Sequence, residues 1–351
     1  MRILIDIGHP GHVHLFKHFA HEMIKSNHEV LFTVRDKEFE VKLLEHEKFN
    51  FINFGKHYKS KIGKVFGLAK FSFLSYKTSL KFKPDIYLSH GSMYNAIASY
   101  FYRKPHIAFE DTGNIEQVRL YKPFTETILT STTFKENYGS KQLRYRGCHE
   151  LAYLHPNYFT PNDSIFNKLG LKLNDSYFIL RFVSWNATHD VGQKGLTLTQ
   201  KRELIELLNR FGKVFISSEG DLPAEFNQYQ IKINPEDMHD ALACAKLFIG
   251  EGATMASECA VLGTPAVYVN TMEAGSIDEQ EEIGLLYHYR NGNGVVEKVK
   301  TLLEDKDLNV NARLKSTKFI EANINVTKFL IWFINNYPDS RTNYTISNNQ
   351  Y

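Results

Sequence analysis

The strongest constraint on how this chain can fold is that short apolar runs alternate with helical patterns in two successive series, separated by a proline-broken interval. The first series opens with a strand at residues 2–7 (RILIDI), a glycine-containing loop at 8–12, an amphipathic helix at 13–26 and a strand at 29–34. The pattern continues through a helix (DKEFEVKLLEHE), a strand (FNFINFG) and a long basic helical stretch. Strands at PDIYLSHG (84–91) and KPHIAFED follow, separated by the helix SMYNAIASYFYR, and ETILTST and QLRYRG extend the alternation. Strands joined through helices run parallel, and a parallel sheet is covered on both faces. Around 147–164, Pro156, Pro161 and polar residues interrupt the regular elements. A second series then starts at YFILRFV (177–183) and runs through KVFISS, YQIKI, KLFIGE and PAVYV with helices between.

At 351 residues the chain exceeds one typical core, so the two series predict two doubly wound α/β domains. The expected limits are 1–150 for the first domain, 151–170 for a linker and 171–311 for the second. An amphipathic helix at 312–337 is expected to pack back on the first domain, with a mobile polar tail at 338–351. A formal net charge of +3 is too small to imply nucleic acid as a partner. Three cysteines without CxxC spacing suggest neither a disulfide framework nor a zinc knuckle. The N-terminus runs straight into a strand, and no run of about 18 apolar residues occurs, so a cytoplasmic protein without a membrane span is expected.

The sharpest chemical signal is FIGEGATMASECAVLGTPAVYV (248–269). A strand ends in Gly250, Glu251 and Gly252, and a helix opens at Ala253 or Thr254. That helix is closed by Gly263, and Pro265 starts the next strand. Backbone N–H groups at such a helix start can bind an anion, and small residues let a phosphate approach. Glu258 lies within reach of a ribose. A plain αβ unit with Glu258 as a solvated helix residue is the alternative.

This segment resembles the donor-nucleotide motif of GT-B fold enzymes, which include the UDP-GlcNAc transferase forming lipid II and the non-hydrolysing UDP-GlcNAc 2-epimerase. Gly252, Ser257, Glu258, Gly263 and Pro265 match its order. The N-terminal GHPGHVH resembles the transferase's glycine-rich loop, with Gly11 in the loop and His12 as the matching histidine. The resemblance spans about residues 2–330 and points to an uncharacterised family of predicted glycosyltransferases. It implies two Rossmann-like domains facing a cleft, the GT-B fold, with a nucleotide-sugar on the second domain and an acceptor on the first.

His9, His12, His14 and His18 raise a metal reading. His14 and His18 have i,i+4 spacing, but no HExxH is present and the near carboxylates are only Asp6 and Glu22, so no metal and no cofactor are expected. His9 and His12 follow a strand's carboxyl end, where ligands of open α/β sheets collect, and a neutral histidine can act as a base toward a sugar hydroxyl. Glu110 and Asp111, in HIAFEDTG, end another strand. Glu110 matches a catalytic glutamate of the epimerase, whereas Ser92 stands where that enzyme carries a catalytic aspartate, which argues against epimerase chemistry.

Arg181 is placed to fork onto a diphosphate. His189 lies late for a match to the epimerase's histidine. Ser217 and Ser218 end a further strand beside the donor, and INPEDMHDAL resembles the segment that contacts the nucleotide base in the GT-B enzymes, which implies Met238 as its neighbour. Glu273, Ser276 and Gln280 are candidates for the sugar pocket. Residues 48–83 contain no Asp or Glu, but repeated lysines among Phe, Tyr and Leu. This suits peripheral contact with an anionic membrane carrying a lipid-linked acceptor, or else a helix with a solvated basic face and a buried aromatic one.

The resulting expectation is a metal-independent glycosyltransferase, with His12 and Glu110 catalytic, that moves a sugar from a UDP-sugar to a glycan or lipid-linked acceptor in surface polysaccharide synthesis. A UDP-sugar 2-epimerase and a non-catalytic nucleotide-sugar-binding protein are the alternatives.

Overall fold

A computed structural model describes residues 1–58, 60–183, 195–218, 220–272 and 275–344. The chain divides into two compact units, one made of Met1–Tyr153 with Ile324–Tyr351 and the other of Leu154–Asn323.

In the first unit, β1 (Arg2–Ile7), α1 (Pro10–Lys25), β2 (Glu29–Asp36), α2 (Glu40–His46) and β3 (Phe51–Lys56) follow one another. They are succeeded by α3 (Lys61–Phe82), β4 (Ile86–His90), α4 (Met93–Tyr102), β5 (His106–Phe109), α5 (Ile115–Tyr121), β6 (Thr127–Ser131) and β7 (Gln142–Tyr145). The seven strands are parallel in the order β3-β2-β1-β4-β5-β6-β7. The order reverses between β1 and β4, which opens a crevice at their carboxyl ends. Ile3, Leu4, Ile5 and Ile7 of β1 are fully buried, as a strand covered on both faces requires.

The second unit contains α6 (Ser164–Lys168), β8 (Tyr177–Phe182), α7 (Leu198–Asn209), β9 (Lys213–Ser218), α8 (Met238–Cys244) and β10 (Leu247–Gly250). Beyond these come α9 (Ala253–Leu262), β11 (Ala266–Val269), α10 (Gly275–Glu282), β12 (Leu286–Tyr289), α11 (Val295–Glu304) and α12 (Leu308–Ala322). Its five parallel strands run β12-β11-β10-β8-β9, so the reversal lies between β8 and β10. Leu180, Ile216, Ile249 and Val267 pack with Leu204, Leu208 and Val299 into one core.

Two expected boundaries differ. Residues 154–170 are not a free linker: Ile165 and Phe166 are buried, and Lys168 Nζ pairs with Asp237 at 2.6 Å, which fixes this stretch to the second unit. The single helix expected at 312–337 is two, α12 and α13 (Val326–Asn335), because Asn325 caps the second helix by accepting from Lys328 N–H. α13 packs on α1 in the first unit. In the expected mobile tail, residues 339–343 form α14 (Asp339–Asn343), and 345–351 lie outside the described residues.

Helix α3 inverts the usual division of faces. Its buried side carries Ser72, Ser75, Thr78 and Ser79, with Ser75 donating to Asn95 Oδ1 on α4 at 2.7 Å. Its exposed side carries Ile62 (86%), Phe66 (59%), Phe73 (64%) and Leu80 (53%). The buried aromatic face expected of a solvated basic helix is therefore reduced mainly to Phe71.

Candidate functional site

In the first unit, candidate residues gather where the strand order reverses. β1 leads through Gly8 into α1, whose N-cap is His9 with its Nδ1 accepting from Gly11 N–H at 3.1 Å. Beneath this loop, Asp6 Oδ1 accepts from Thr33 Oγ1 at 2.6 Å and from Arg35 Nη1 at 2.8 Å. Arg35 Nη2 also donates to Ile7 O at 2.8 Å, and its guanidinium lies 4.6 Å from the Tyr94 ring. A Cβ on Gly8 would come within 3.0 Å of Arg35 Nη2, so the loop packs closely on this buried ion pair.

His12 is thereby turned toward β4. Its ring stacks on His90 with centroids 4.5 Å apart and 27° between planes. Burial, reinforced by His90 and His9, pushes its pKa well below the ordinary value, so the ring is neutral near pH 7. Its Nδ1 accepts from Gly8 N–H at 3.3 Å, which leaves the proton on Nε2 while that long contact holds.

The two adjacent carboxylates at the end of β5 have different environments. Glu110 is buried: Oε1 accepts from Thr112 N–H (2.8 Å), Thr112 Oγ1 (2.7 Å) and Gly113 N–H (3.1 Å), and Oε2 from Tyr121 OH (2.6 Å). Its lone pairs are committed to shaping the turn. Asp111 bonds the ring on which His12 stacks. Oδ1 of Asp111 lies 2.8 Å from His90 Nε2, and Oδ2 lies 2.9 Å from His149 Nδ1. Partial desolvation would raise the pKa of Asp111, whose side chain is about half exposed, but His149 and His90 outweigh it and hold the carboxyl well below its usual range. Burial opposes protonation of His90 as well, and Asp111 outweighs it and raises that pKa. Ser92 caps α4 by accepting from Asn95 N–H, so no acid occupies that position.

The second unit gathers its candidates at its own reversal point. Arg181, the penultimate residue of β8, pairs in register with Gly250 on β10 and Ser217 on β9. Arg181 Nη1 donates to Ser217 Oγ at 2.7 Å. A Cβ on Gly250 would meet the Phe248 ring at 2.5 Å and the Arg181 Cβ at 2.7 Å, so only glycine fits between these two side chains. Gly252 is the N-cap of α9 with no side-chain cap, and Arg181 passes beside it. The first turn of α9, at Ala253 and the exposed Thr254, therefore presents main-chain N–H groups next to a guanidinium.

Deeper on α9, Glu258 Oε1 lies 3.1 Å from His239 Nε2 and both side chains are buried. Ser257 Oγ accepts from Gln280 Nε2 at 2.8 Å, which makes both residues part of the α9–α10 packing. Ser218 Oγ donates to Gly220 O at 2.9 Å, and half-buried Met238 opens α8 beside His239. Sequence reasoning missed Glu251. Its buried carboxylate accepts from Val183 N–H (3.1 Å) and Leu196 N–H (2.8 Å) and pairs with Lys201 Nζ (3.3 Å), tying both flanks of 184–194 to β10. His189 and Glu273 lie outside the described residues.

Comparison with known proteins matches this architecture. The chain is 24% identical over 296 residues to the uncharacterized protein MJ0665 of Methanocaldococcus jannaschii, covering 79% of this chain and 84% of that one. Among solved structures it is similar to the UDP-GlcNAc 2-epimerase of Neisseria meningitidis bound to UDP-GlcNAc, at TM-score 0.65 and 10% identity, covering 95% and 99% of the two chains. It is also similar to Acinetobacter baumannii MurG, at TM-score 0.58 and 16% identity, again covering 95% and 99%. The fold is that of the GT-B enzymes, as the strand orders of the two units indicate. Residues 1–323 match the family described as "Protein of unknown function (DUF354)", and the chain belongs to that family.

Proposed function

We propose that the protein is a nucleotide-sugar-dependent glycosyltransferase whose second unit holds a UDP-sugar and whose first unit takes a glycan or lipid-linked acceptor. The observation that carries this reading is the placement of Arg181 beside the uncapped N-terminus of α9, at the reversal point of the second sheet. A guanidinium fork and a row of aligned N–H groups stabilise the charge that develops on a departing diphosphate. Transfer forms a bond from the acceptor oxygen to the anomeric carbon and breaks the bond from that carbon to the diphosphate, and the hydroxyl proton passes to a base. Of the two expected bases, His12 is neutral and half-buried, whereas Glu110 is fully hydrogen-bonded. His12 accepts at Nδ1 by giving up the 3.3 Å contact from Gly8.

Peripheral contact with an anionic membrane accompanies this reading. It is supported by the exposed apolar stripe of α3, in a stretch rich in lysine and free of Asp and Glu. Among the described residues no helix is long and apolar enough to cross a membrane.

The test is a thermal-shift screen against UDP, GDP, CMP, dTDP and their sugars, repeated with Arg181→Ala. A nucleotide at one hundred times its dissociation constant stabilises by about 2.7 kcal/mol. One nucleotide class should stabilise the wild type, with affinity falling at least about tenfold in the variant. No shift with any nucleotide would overturn the assignment. Stabilisation without sugar transfer to acceptor mixtures would favour a binding protein instead, and deuterium incorporation at the sugar C2 in heavy water would favour an epimerase.

A further inference from the structure

Three side chains from separate elements of the first unit converge on one point. His90 ends β4, Asp111 follows β5, and His149 starts the 3-10 turn His149–Ala152. Their nearest nitrogen and oxygen atoms all lie within 4.8 Å of one another, and the two histidine-to-carboxylate distances are 2.8 and 2.9 Å. Atoms bound at about 2.0–2.1 Å to one tetrahedral ion stand roughly 3.3 Å apart. The two measured contacts, one to each Asp111 oxygen, lengthen by a few tenths of an ångström on binding, while the set as a whole, which spans up to 4.8 Å, draws in.

The imidazoles are held from outside the cluster. His149 lies edge-on to Phe109 at 5.4 Å and parallel to Tyr145 at 6.2 Å, and His90 carries the His12 ring on its face. The buried His149 Nε2 has no hydrogen-bond partner among the described residues, so the polar bonding of that ring is directed through Nδ1 at Asp111. Asp111 keeps 49% of its side-chain surface exposed, which leaves the carboxylate side open to an entering ion and to a further ligand.

We propose that His90, Asp111 and His149 form a binding site for a divalent first-row transition ion, with Nε2 of His90, Nδ1 of His149 and a carboxylate oxygen of Asp111 as ligands. Two imidazoles and one carboxylate favour zinc, cobalt, iron or manganese over magnesium or calcium, which prefer oxygen. Three protein ligands leave a fourth position for water or for a hydroxyl or carboxylate oxygen of a bound molecule. Binding displaces the protons that now bridge the carboxylate to the two rings, so one ion takes up the role of two hydrogen bonds. This site differs from the histidines read in the sequence: His9 caps α1, and the buried ring of His14 lies 5.5 Å from the Tyr153 ring.

The test uses the full-length protein, stripped with a chelator, and titrates Zn²⁺ by calorimetry and Co²⁺ by its visible absorption, with Asp111→Ala, His149→Gln and, as a control, His21→Ala. One ion per chain should bind the wild type and the control alike, and affinity should fall at least about 100-fold in both site variants, more than loss of a supporting residue causes. Absence of stoichiometric binding by the wild type would overturn the proposal whether or not the variants fold. So would undiminished binding by folded Asp111→Ala. Because the titration contains no nucleotide, its failure is separate from failure of the donor screen.

Discussion

His106 shows how a buried side chain sets the response of the whole fold to acid. Its Nε2 lies 2.8 Å from Ser89 Oγ and its Nδ1 lies 2.8 Å from Thr125 Oγ1, with no solvent access. Burial lowers its pKa from 6.5 to about 3. Between those values the unfolded chain binds a proton that the folded chain refuses, so stability falls as pH drops below about 6.5, by up to about 1.4 kcal/mol per pH unit. His106→Asn keeps a hydrogen-bonding side chain and removes the titration. Between pH 7 and pH 5 the wild type should lose about 2 kcal/mol more than the variant in denaturant unfolding, and equal losses would refute this. The place of Arg181 near a strand's end and of Gly252 and Ala253 at a helix start was readable, because a strand end and a helix start are local features. The His239–Glu258 pair and the His90–Asp111–His149 cluster join positions that only the sheet order brings together. His149 also lay at the edge of the stretch read as a linker. Between Glu110 and Asp111, the turn geometry decides which carboxylate is enclosed, and composition carries no trace of that choice.

At the scale of elements, α3 separates folding from surface behaviour. Its contacts with the rest of the unit run through Ser75, Ser79 and Phe71, while Phe66, Phe73 and Leu80 project outward. Replacing all three outward residues by serine should change stability by less than about 0.5 kcal/mol per site, as at other exposed positions. The same replacement should abolish co-sedimentation with vesicles containing phosphatidylglycerol, and wild-type binding should weaken as salt screens the lysines. Wild-type protein that stays in the supernatant at low salt would remove the membrane reading. The strand and helix alternation was legible because buried parallel strands must be apolar throughout, and this produced the correct fold class. The direction of α3 was not legible, since a helix with serines on one face and phenylalanines on the other reads the same whichever face is inward. The break between α12 and α13 was hidden by apolar periodicity on both sides, although Asn325, a favoured N-cap residue, stands directly before the apolar run of α13.

The whole molecule is organised by a chain that leaves the first unit at Tyr153 and returns to it at Ile324. The two crossings lie side by side: Ile324 N–H donates to Arg146 O at 3.2 Å, and Thr327 Oγ1 donates to Ala152 O at 2.6 Å. Residues 154–323 are therefore a continuous segment whose ends emerge together, whereas the first unit needs both parts of the chain. Phe329, Leu330, Phe333 and Ile334 of α13 are buried, with Phe329 5.8 Å from the Tyr145 ring. Each such side chain is worth about 1.5–3 kcal/mol when buried, and together they rival the 5–15 kcal/mol that typically holds a domain folded. A fragment of residues 154–323 should melt cooperatively on its own. Residues 1–153 alone should not, and joining 324–344 to them through a short glycine-serine linker should restore a cooperative transition. If the nucleotide site is correctly placed, the 154–323 fragment also retains the selectivity of the full chain in the thermal-shift screen, because Arg181, Ser217, Gly252 and Glu258 all lie within it. A cooperative melt from residues 1–153 alone would show that α13 is dispensable to the first unit, and the discontinuous division of the chain would fall with it.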